Sequence, residues 1–168
     1  MEDPSFTQVR HLFSMECAVQ VTIGAPAAVV WTILTDAPAF PRWNSTVTRI
    51  EGDIREGAHL RLHVPGTTRT FTPTVSGVVT NQRMIWTGGF DPLFKGVRTF
   101  VLTPRNSDST DFAMTERFSG LLLPFVRRSL PDFGSVFRTY ANDLKREAER
   151  VGSKWWVKAP KKEPWTPT

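Results

Sequence analysis

Hydrophobic and polar residues alternate with a period of two over most of the chain. The alternation begins at residues 16–23, where every second side chain is apolar, a pattern typical of a half-buried strand. After residue 44 the same period returns in further segments separated by turn residues. We expect these later strands at residues 47–50, 58–64, 68–80, 83–87, 97–103 and 111–118.

Helical periodicity is confined to two places. Pro26 suits the first turn of a short helix over 27–34, and the prolines of segment 37–43 leave room for only one or two further turns. Near the end of the chain, apolar residues recur at steps of three and four, which predicts a long helix over 131–151. We expect Ser129 near its start, a turn or kinked extension at 122–128 before it, and Gly152 at its end.

These patterns divide the chain into three parts. Residues 1–14 have no clear period and are predicted to form a loose arm, and residues 15–151 form one domain. Residues 152–168 contain three prolines and no period, and are predicted to be a tail outside the domain. One antiparallel sheet covered by one amphipathic helix predicts an α+β fold.

The charge adds a question about the tail. The net charge is +5 over 168 residues, but +3 of it lies in residues 152–168, which contain four lysines and one glutamate. The body therefore has little basic excess, and we do not expect it to bind nucleic acid. An interaction module using Trp155, Trp156 and the nearby lysines is a third, less favoured function for this chain.

Composition narrows the class of protein. One cysteine excludes an internal disulfide framework and a Cys-rich zinc site. The longest apolar run, residues 121–126, is too short to cross a bilayer, and the acidic N-terminus has no signal core, so we predict a soluble cytoplasmic protein. Twelve Phe and six Trp against one Tyr suit a broad apolar interior.

Residues 21–44, with the sequence VTIGAPAAVVWTILTDAPAFPRWN, resemble the opening signature of the START-like helix-grip superfamily (SRPBCC), in its polyketide cyclase/dehydrase branch. The resemblance rests on Val30-Trp31, Thr35-Asp36, Phe40-Pro41 and Trp43-Asn44. It implies a curved sheet of about seven strands around the long C-terminal helix, with a deep apolar cavity between them. Members include lipid carriers, plant allergens, hormone receptors and aromatase/cyclases.

The resemblance and the aromatic composition predict binding or carriage of a small hydrophobic ligand of lipid, polyketide or aromatic type. The alternative is a cyclase or dehydratase reaction in the same cavity, so the question of enzymatic activity stays open, with binding favoured. We predict no cofactor, because the sequence has no phosphate-binding loop, dinucleotide fingerprint or nucleophile elbow. We predict no metal either, since His59 and His63 lie about 13 Å apart along one strand.

A charged pair is the main candidate for chemistry. Along 111–118, Glu116 shares one face with Phe112, Met114 and Phe118. A hairpin tip near 105–109 pairs residue 102 with 112, 100 with 114, and 98 with 116, which brings Arg98 to Glu116. Burying either charge alone is costly, whereas together they can pair. The pair is a candidate for ligand binding or acid–base catalysis; the alternative is a structural salt bridge at the cavity rim or on an exposed face.

The remaining candidates are large apolar side chains. Trp43 lies near the expected cavity mouth, and Trp86 can occupy either face of its strand. Tyr140 is the only phenol, and a buried hydroxyl needs a partner; an ordinary core role is the alternative for it and for the other rings of the long helix. The full set of predicted ligand-binding residues is Glu116, Arg98, Trp43, Trp86, Phe100, Phe112, Met114, Phe118, Phe133, Phe137 and Tyr140.

Overall fold

Two antiparallel sheets and a long helix form the described part of the computed structural model, residues 3–126 and 132–158. The strands are β1 (Ser5–Arg10), β2 (Ser14–Ile23), β3 (Arg49–Glu51), β4 (Arg61–His63), β5 (Thr70–Phe71), β6 (Thr74–Val79), β7 (Arg83–Phe90), β8 (Phe94–Asn106) and β9 (Ser109–Ser119). The helices are α1 (Ala27–Thr35), α2 (Phe40–Trp43), α3 (Leu123–Val126) and α4 (Phe133–Lys158), with a 3-10 turn at Ala37–Ala39.

The larger sheet has six strands in the order β1-β2-β9-β8-β7-β6, and the smaller one has the order β3-β4-β5. Helix α4 packs mainly against β2 and also contacts β1, α1 and α2. The predicted α+β helix-grip architecture is therefore confirmed, including the two short helical segments after the first predicted strand. In the described part of the chain, no helix is long and apolar enough to cross a membrane.

The predicted single strand over 68–80 is wrong. Residues Thr70–Phe71 belong to the smaller sheet and Thr74–Val79 to the larger one, with Pro73 between them. Proline lacks the N–H that a strand interior needs, so the chain changes sheets there. With β1, this split raises the number of described strands from the expected seven to nine.

The expectation of a loose arm over residues 1–14 is also wrong, because Ser5–Arg10 forms an edge strand paired with β2. Only Phe6 and Gln8 of this strand are partly buried, and the glutamine interrupts the apolar period. Its side-chain amide donates a hydrogen bond to the Cys17 sulfur, 3.1 Å away. Because a polar residue occupies an inward-facing position, the sequence of β1 lacks the alternation of apolar and polar residues that predicts a strand.

The long helix extends past its predicted end at residue 151, to Lys158. Gly152 is buried, and a Cβ atom added there would lie 3.2 Å from the Cβ of Ala25. The glycine therefore allows a close approach of α4 to the β2–α1 turn and does not end the helix. Ser129, Pro131 and residues 159–168 of the predicted tail lie outside the described residues, and the proposed interaction role of the tail stays a prediction.

Candidate ligand-binding site

The paired strands β8 and β9 place the predicted charged pair. Their register joins Leu102 to Phe112, Phe100 to Met114 and Arg98 to Glu116, as the period-two pattern predicted. Arg98 donates two hydrogen bonds to one carboxylate oxygen of Glu116, at 3.1 Å from Nε and 2.5 Å from Nη2. The side chains are only 18% and 13% exposed, so the pair does not lie on an open sheet face.

The Arg98 guanidinium is held in its charged form. Burial by itself lowers the pKa of this group, but the charge of Glu116 and the hydrogen bonds to it outweigh burial and raise the pKa above its usual value. The guanidinium carbon also lies 5.7 Å from the ring centre of Phe137 on α4. Arg98 and Glu116 therefore neutralise each other in this interior.

Aromatic rings fill the space next to this pair, between the sheet and α4. Trp86 is buried on the same face of β7 as Met84, which settles the face that the sequence left open. Its ring centre lies 5.0 Å from that of Phe100. The ring of Trp43 on α2 packs on that of Phe40, with ring centres 4.7 Å apart. The same ring meets that of Tyr140 edge to face, with ring centres 5.9 Å apart.

Several polar atoms in this interior have no hydrogen-bond partner among the described residues. They include the indole nitrogens of Trp43 and Trp86, the amide nitrogen of Asn44 and the hydroxyl of Tyr140. Indole and amide N–H groups can only donate hydrogen bonds. Burial raises the pKa of the Tyr140 phenol above its usual value, offset only in part by the charge of Arg98, so its hydroxyl keeps its proton and can donate too.

A buried carboxylate on α4 positions the segment that carries Trp43 and Asn44. Asp143 accepts hydrogen bonds from the backbone N–H of Ser45 at 2.8 Å and from its hydroxyl at 2.7 Å. The side-chain oxygen of Asn44 accepts hydrogen bonds from the backbone N–H and the hydroxyl of Thr46. Its amide nitrogen has no hydrogen-bond partner among the described residues. Sequence reasoning missed Asp143 and Asn44; the signals were a carboxylate next to the apolar stripe of α4 and the asparagine of the family signature.

The structure brings the predicted ligand-binding side chains into one region. Arg98 and Glu116 form the charged pair, and the apolar members all belong to the same buried core. Phe118, near the end of β9, packs on Phe133 at the start of α4, with ring centres 5.0 Å apart. Phe112 stacks on Tyr140 with ring centres 6.3 Å apart. Whether these residues contact a ligand stays a prediction.

An open depression of about 630 Å³ lies elsewhere, between the 3-10 turn, α2 and β3. It is lined by Ala37, Pro38, Pro41, Thr48, Arg49, Ile50 and Glu51, none of which belongs to the predicted set. This depression is therefore separate from the predicted site.

Within residues 3–126 and 132–158, no group of three or more His, Cys, Asp or Glu side chains is arranged to hold a metal ion. His59 is hydrogen-bonded to the hydroxyl of Thr74 at 2.9 Å. His63 lies 3.4 Å from a carboxylate oxygen of Glu51 on the smaller sheet. The two histidines thus interact with different neighbours.

A sheet that holds a long C-terminal helix over an aromatic interior defines a START-like helix-grip domain. The chain belongs to the polyketide cyclase/dehydrase and lipid transport family, whose model matches residues 15–149. The fold and the family together make it a ligand-binding domain of the START/polyketide cyclase type. A comparison with curated proteins found no match.

Solved structures share the fold at low identity. A START superfamily protein from Mycobacterium smegmatis is 21% identical, with a TM-score of 0.63 over 81% of this chain and 98% of that chain. A protein from Rhodobacter sphaeroides is 18% identical, with a TM-score of 0.65 over 88% and 99%. A norcoclaurine synthase point mutant from Thalictrum flavum, in complex with a transition state analogue, is 14% identical, with a TM-score of 0.64 over 86% and 98%.

Proposed function

We propose that this protein binds a small, uncharged, largely apolar ligand of polyketide or aromatic type between the six-stranded sheet and α4. The observation that carries the proposal is the group of buried, unpaired donors at Trp43, Trp86, Asn44 and Tyr140. A buried donor without a partner costs about 1–3 kcal/mol, and native structures rarely retain several together without a use for them. A ligand oxygen that accepts a hydrogen bond from one of these donors would offset that free-energy cost.

The chemistry of the donors defines the polar end of the ligand. Since the unpaired groups donate, they favour acceptors such as ketone or quinone oxygens. A carboxylate ligand is less favoured, because the Arg98 charge is already paired with Glu116. The surrounding rings of Phe40, Phe100 and Phe112 favour a flat apolar body that can stack or meet them edge to face.

A pair of matched probes tests this proposal. 2-Acetylnaphthalene carries one carbonyl acceptor, and 2-ethylnaphthalene has nearly the same shape without it. Because Trp43 and Trp86 are buried in this interior, tryptophan fluorescence should change on binding. We expect the ketone to bind about tenfold more tightly, consistent with about 1 kcal/mol per hydrogen bond and more than one available donor. Equal binding of the two probes, or binding of neither, would contradict the proposal.

Tyr140→Phe separates the polar role of this residue from its packing. Removing an unpaired buried hydroxyl while keeping the ring should raise the free energy of unfolding in urea by about 1 kcal/mol. We expect the same variant to bind 2-acetylnaphthalene about fivefold more weakly and 2-ethylnaphthalene as before. Phe137→Leu is the control, because it removes an aromatic ring and its contact with Arg98 but no hydrogen-bond donor, and it should weaken the binding of both probes together. A Tyr140→Phe variant that binds the ketone normally would exclude this hydroxyl from the site.

The alternative is a cyclisation or dehydration reaction in the same interior. It is supported by the position of Arg98, which pairs with the Glu116 carboxylate and whose charge also acts on the Tyr140 phenol. A carboxylate can move a proton, and a phenol that keeps its proton can stabilise an enolate oxygen. Incubation with a linear poly-β-ketone thioester, followed by chromatography, tests for turnover. Formation of a cyclised product that requires Glu116 would favour catalysis over binding alone.

A further inference from the structure

A row of side chains with hydrogen-bonding groups crosses the inner face of the six-stranded sheet. The strand register places one of them on each of five neighbouring strands, in the order Gln8, Cys17, Glu116, Arg98 and Trp86. The next row on the same face is apolar throughout, and consists of Phe6, Val19, Met114, Phe100 and Met84. The polar groups of the sheet interior are therefore concentrated in one line.

One acceptor in this row is unused. Both hydrogen bonds from Arg98 go to the Oε2 atom of Glu116, and its Oε1 atom accepts none from the described residues. On the other side of Glu116, the sulfur of Cys17 accepts a hydrogen bond from Gln8 at 3.1 Å. A carboxylate oxygen can only accept hydrogen bonds. Oε1 can therefore bind a donor that comes from outside the protein.

Two glycines leave space beside this oxygen. Gly96 is the next inward-facing position to Arg98 on β8, and Gly88 is its partner on β7. A Cβ atom added at Gly96 would lie 3.7 Å from Oε1 of Glu116 and 3.5 Å from the Phe118 ring. In the described part of the chain, the atoms nearest to a Cβ added at Gly88 belong to Pro73, 3.9 Å away. We call this space beside Oε1 the Gly96 recess, and an added atom fits there at ordinary contact distances.

The recess lies close to the unpaired donors of the proposed site. Trp86 is the cross-strand partner of Arg98, which in turn is the partner of Glu116. The Cα atoms of Trp86 and Glu116 are therefore about 10 Å apart, the width of two strand spacings. The charge of Arg98 also acts on the phenol of Tyr140. One flat two-ring ligand can thus approach both a protein donor and the free acceptor of Glu116.

We propose that the ligand carries a hydroxyl group in addition to its acceptor oxygen, and that this hydroxyl enters the Gly96 recess and donates to Oε1 of Glu116. The inference rests on the proposed function, because it requires a ligand between the sheet and α4. It narrows the ligand class to hydroxyaryl ketones and related phenols. A hydrogen bond to a charged acceptor is stronger than one to a neutral acceptor. The pair with Arg98 stays intact, since it uses the other oxygen.

Isothermal titration calorimetry with substituted naphthalenes tests the proposal, at a pH of about 6 so that the naphthol hydroxyl keeps its proton. We expect 6-acetyl-2-naphthol to bind about tenfold more tightly than 2-acetylnaphthalene. Its methyl ether, 2-acetyl-6-methoxynaphthalene, cannot donate and should show no gain. Equal affinities of the naphthol and its methyl ether would overturn the proposal.

The hydroxyl effect is measured separately from the carbonyl effect on which the proposed function depends. 6-Ethyl-2-naphthol and 2-ethylnaphthalene both lack a carbonyl, and we expect the same gain of about tenfold between them. A gain from the carbonyl without one from the hydroxyl would overturn this inference and leave the proposed function standing. A gain from the hydroxyl without one from the carbonyl would support the role of Glu116 and contradict the proposed role of the unpaired donors.

Gly96→Ser and Gly96→Ala locate the effect. The backbone at Gly96 does not have a positive φ, so it tolerates a side chain, and urea unfolding of both variants should match that of the unmodified chain. The serine hydroxyl comes within reach of Oε1 and can occupy it, so we expect the gain from the naphthol hydroxyl to be lost. Alanine adds the same Cβ atom without a donor, and about a fivefold gain should remain. A full gain in Gly96→Ser, or equal losses in the two variants, would overturn the proposed hydrogen bond.

Discussion

Replacing Glu116 with leucine should lower the free energy of unfolding by about 4 kcal/mol, the cost of leaving one charge of a buried pair unpaired. The Arg98 side chain is only 18% exposed, and its two hydrogen bonds to Glu116 would be lost. Leucine also supplies no acceptor in their place. Urea unfolding followed by circular dichroism measures the loss.

The double variant Arg98→Met/Glu116→Leu is the control for this result. Removing both charges eliminates the unpaired guanidinium and leaves apolar side chains among apolar neighbours, so the stability should return to within about 1 kcal/mol of the original chain. A single variant that loses less than about 1 kcal/mol would mean that water replaces Glu116 as a partner of the guanidinium. The pair would then be a solvated salt bridge and would not contribute to ligand binding in the interior.

Asp143→Ala should cost about 2 kcal/mol, since the substitution removes the charged acceptor shared by the backbone N–H and the hydroxyl of Ser45, an exposed residue whose donors water can partly satisfy. The Asp143 side chain is only 7% exposed. We also expect weaker binding of 2-acetylnaphthalene, because the segment that carries Trp43 and Asn44 loses its attachment to α4. Thermal unfolding and fluorescence titration measure the two effects.

Two variants separate the contribution of the Asp143–Arg146 ion pair from that of the hydrogen bonds between Asp143 and Ser45. Arg146→Ala removes the other partner of Asp143, but this arginine is 71% exposed and should contribute less than about 0.5 kcal/mol. Ser45→Ala removes one hydrogen bond and keeps the backbone one, at a cost of about 1 kcal/mol. If Arg146→Ala proves as damaging as Asp143→Ala, the carboxylate acts through its ion pair and does not position the Trp43 segment.

The pairing of Arg98 with Glu116 could be predicted from the sequence alone. Side chains alternate strictly along a strand, and the hairpin tip near 105–109 set which positions face each other. Those two rules predicted the register that β8 and β9 adopt. The long amphipathic helix and the short helical segments followed from equally local rules, the helical period and the position of prolines.

Local rules failed where a neighbour in space decided the outcome. β1 forms because β2 offers it an edge to pair with, although Gln8 interrupts its own apolar period. Helix α4 continues past Gly152 because the small residue lets it pass close to Ala25, and a glycine at that point predicts a helix end when only the sequence is considered. Strand 68–80 divides because its two halves find partners in different sheets.

The candidate site also combines features that local sequence determines with features that tertiary contacts determine. The sequence by itself determined the family, the sheet-and-helix architecture and the meeting of Arg98 with Glu116, because each depends on residue order and period. Only the tertiary structure decided that Trp86 faces inward, that Asp143 holds Ser45, and that donors from α2, β7 and α4 share one interior without partners. Whether a polar atom is paired depends on every group packed around it, and those groups come from segments far apart in the chain.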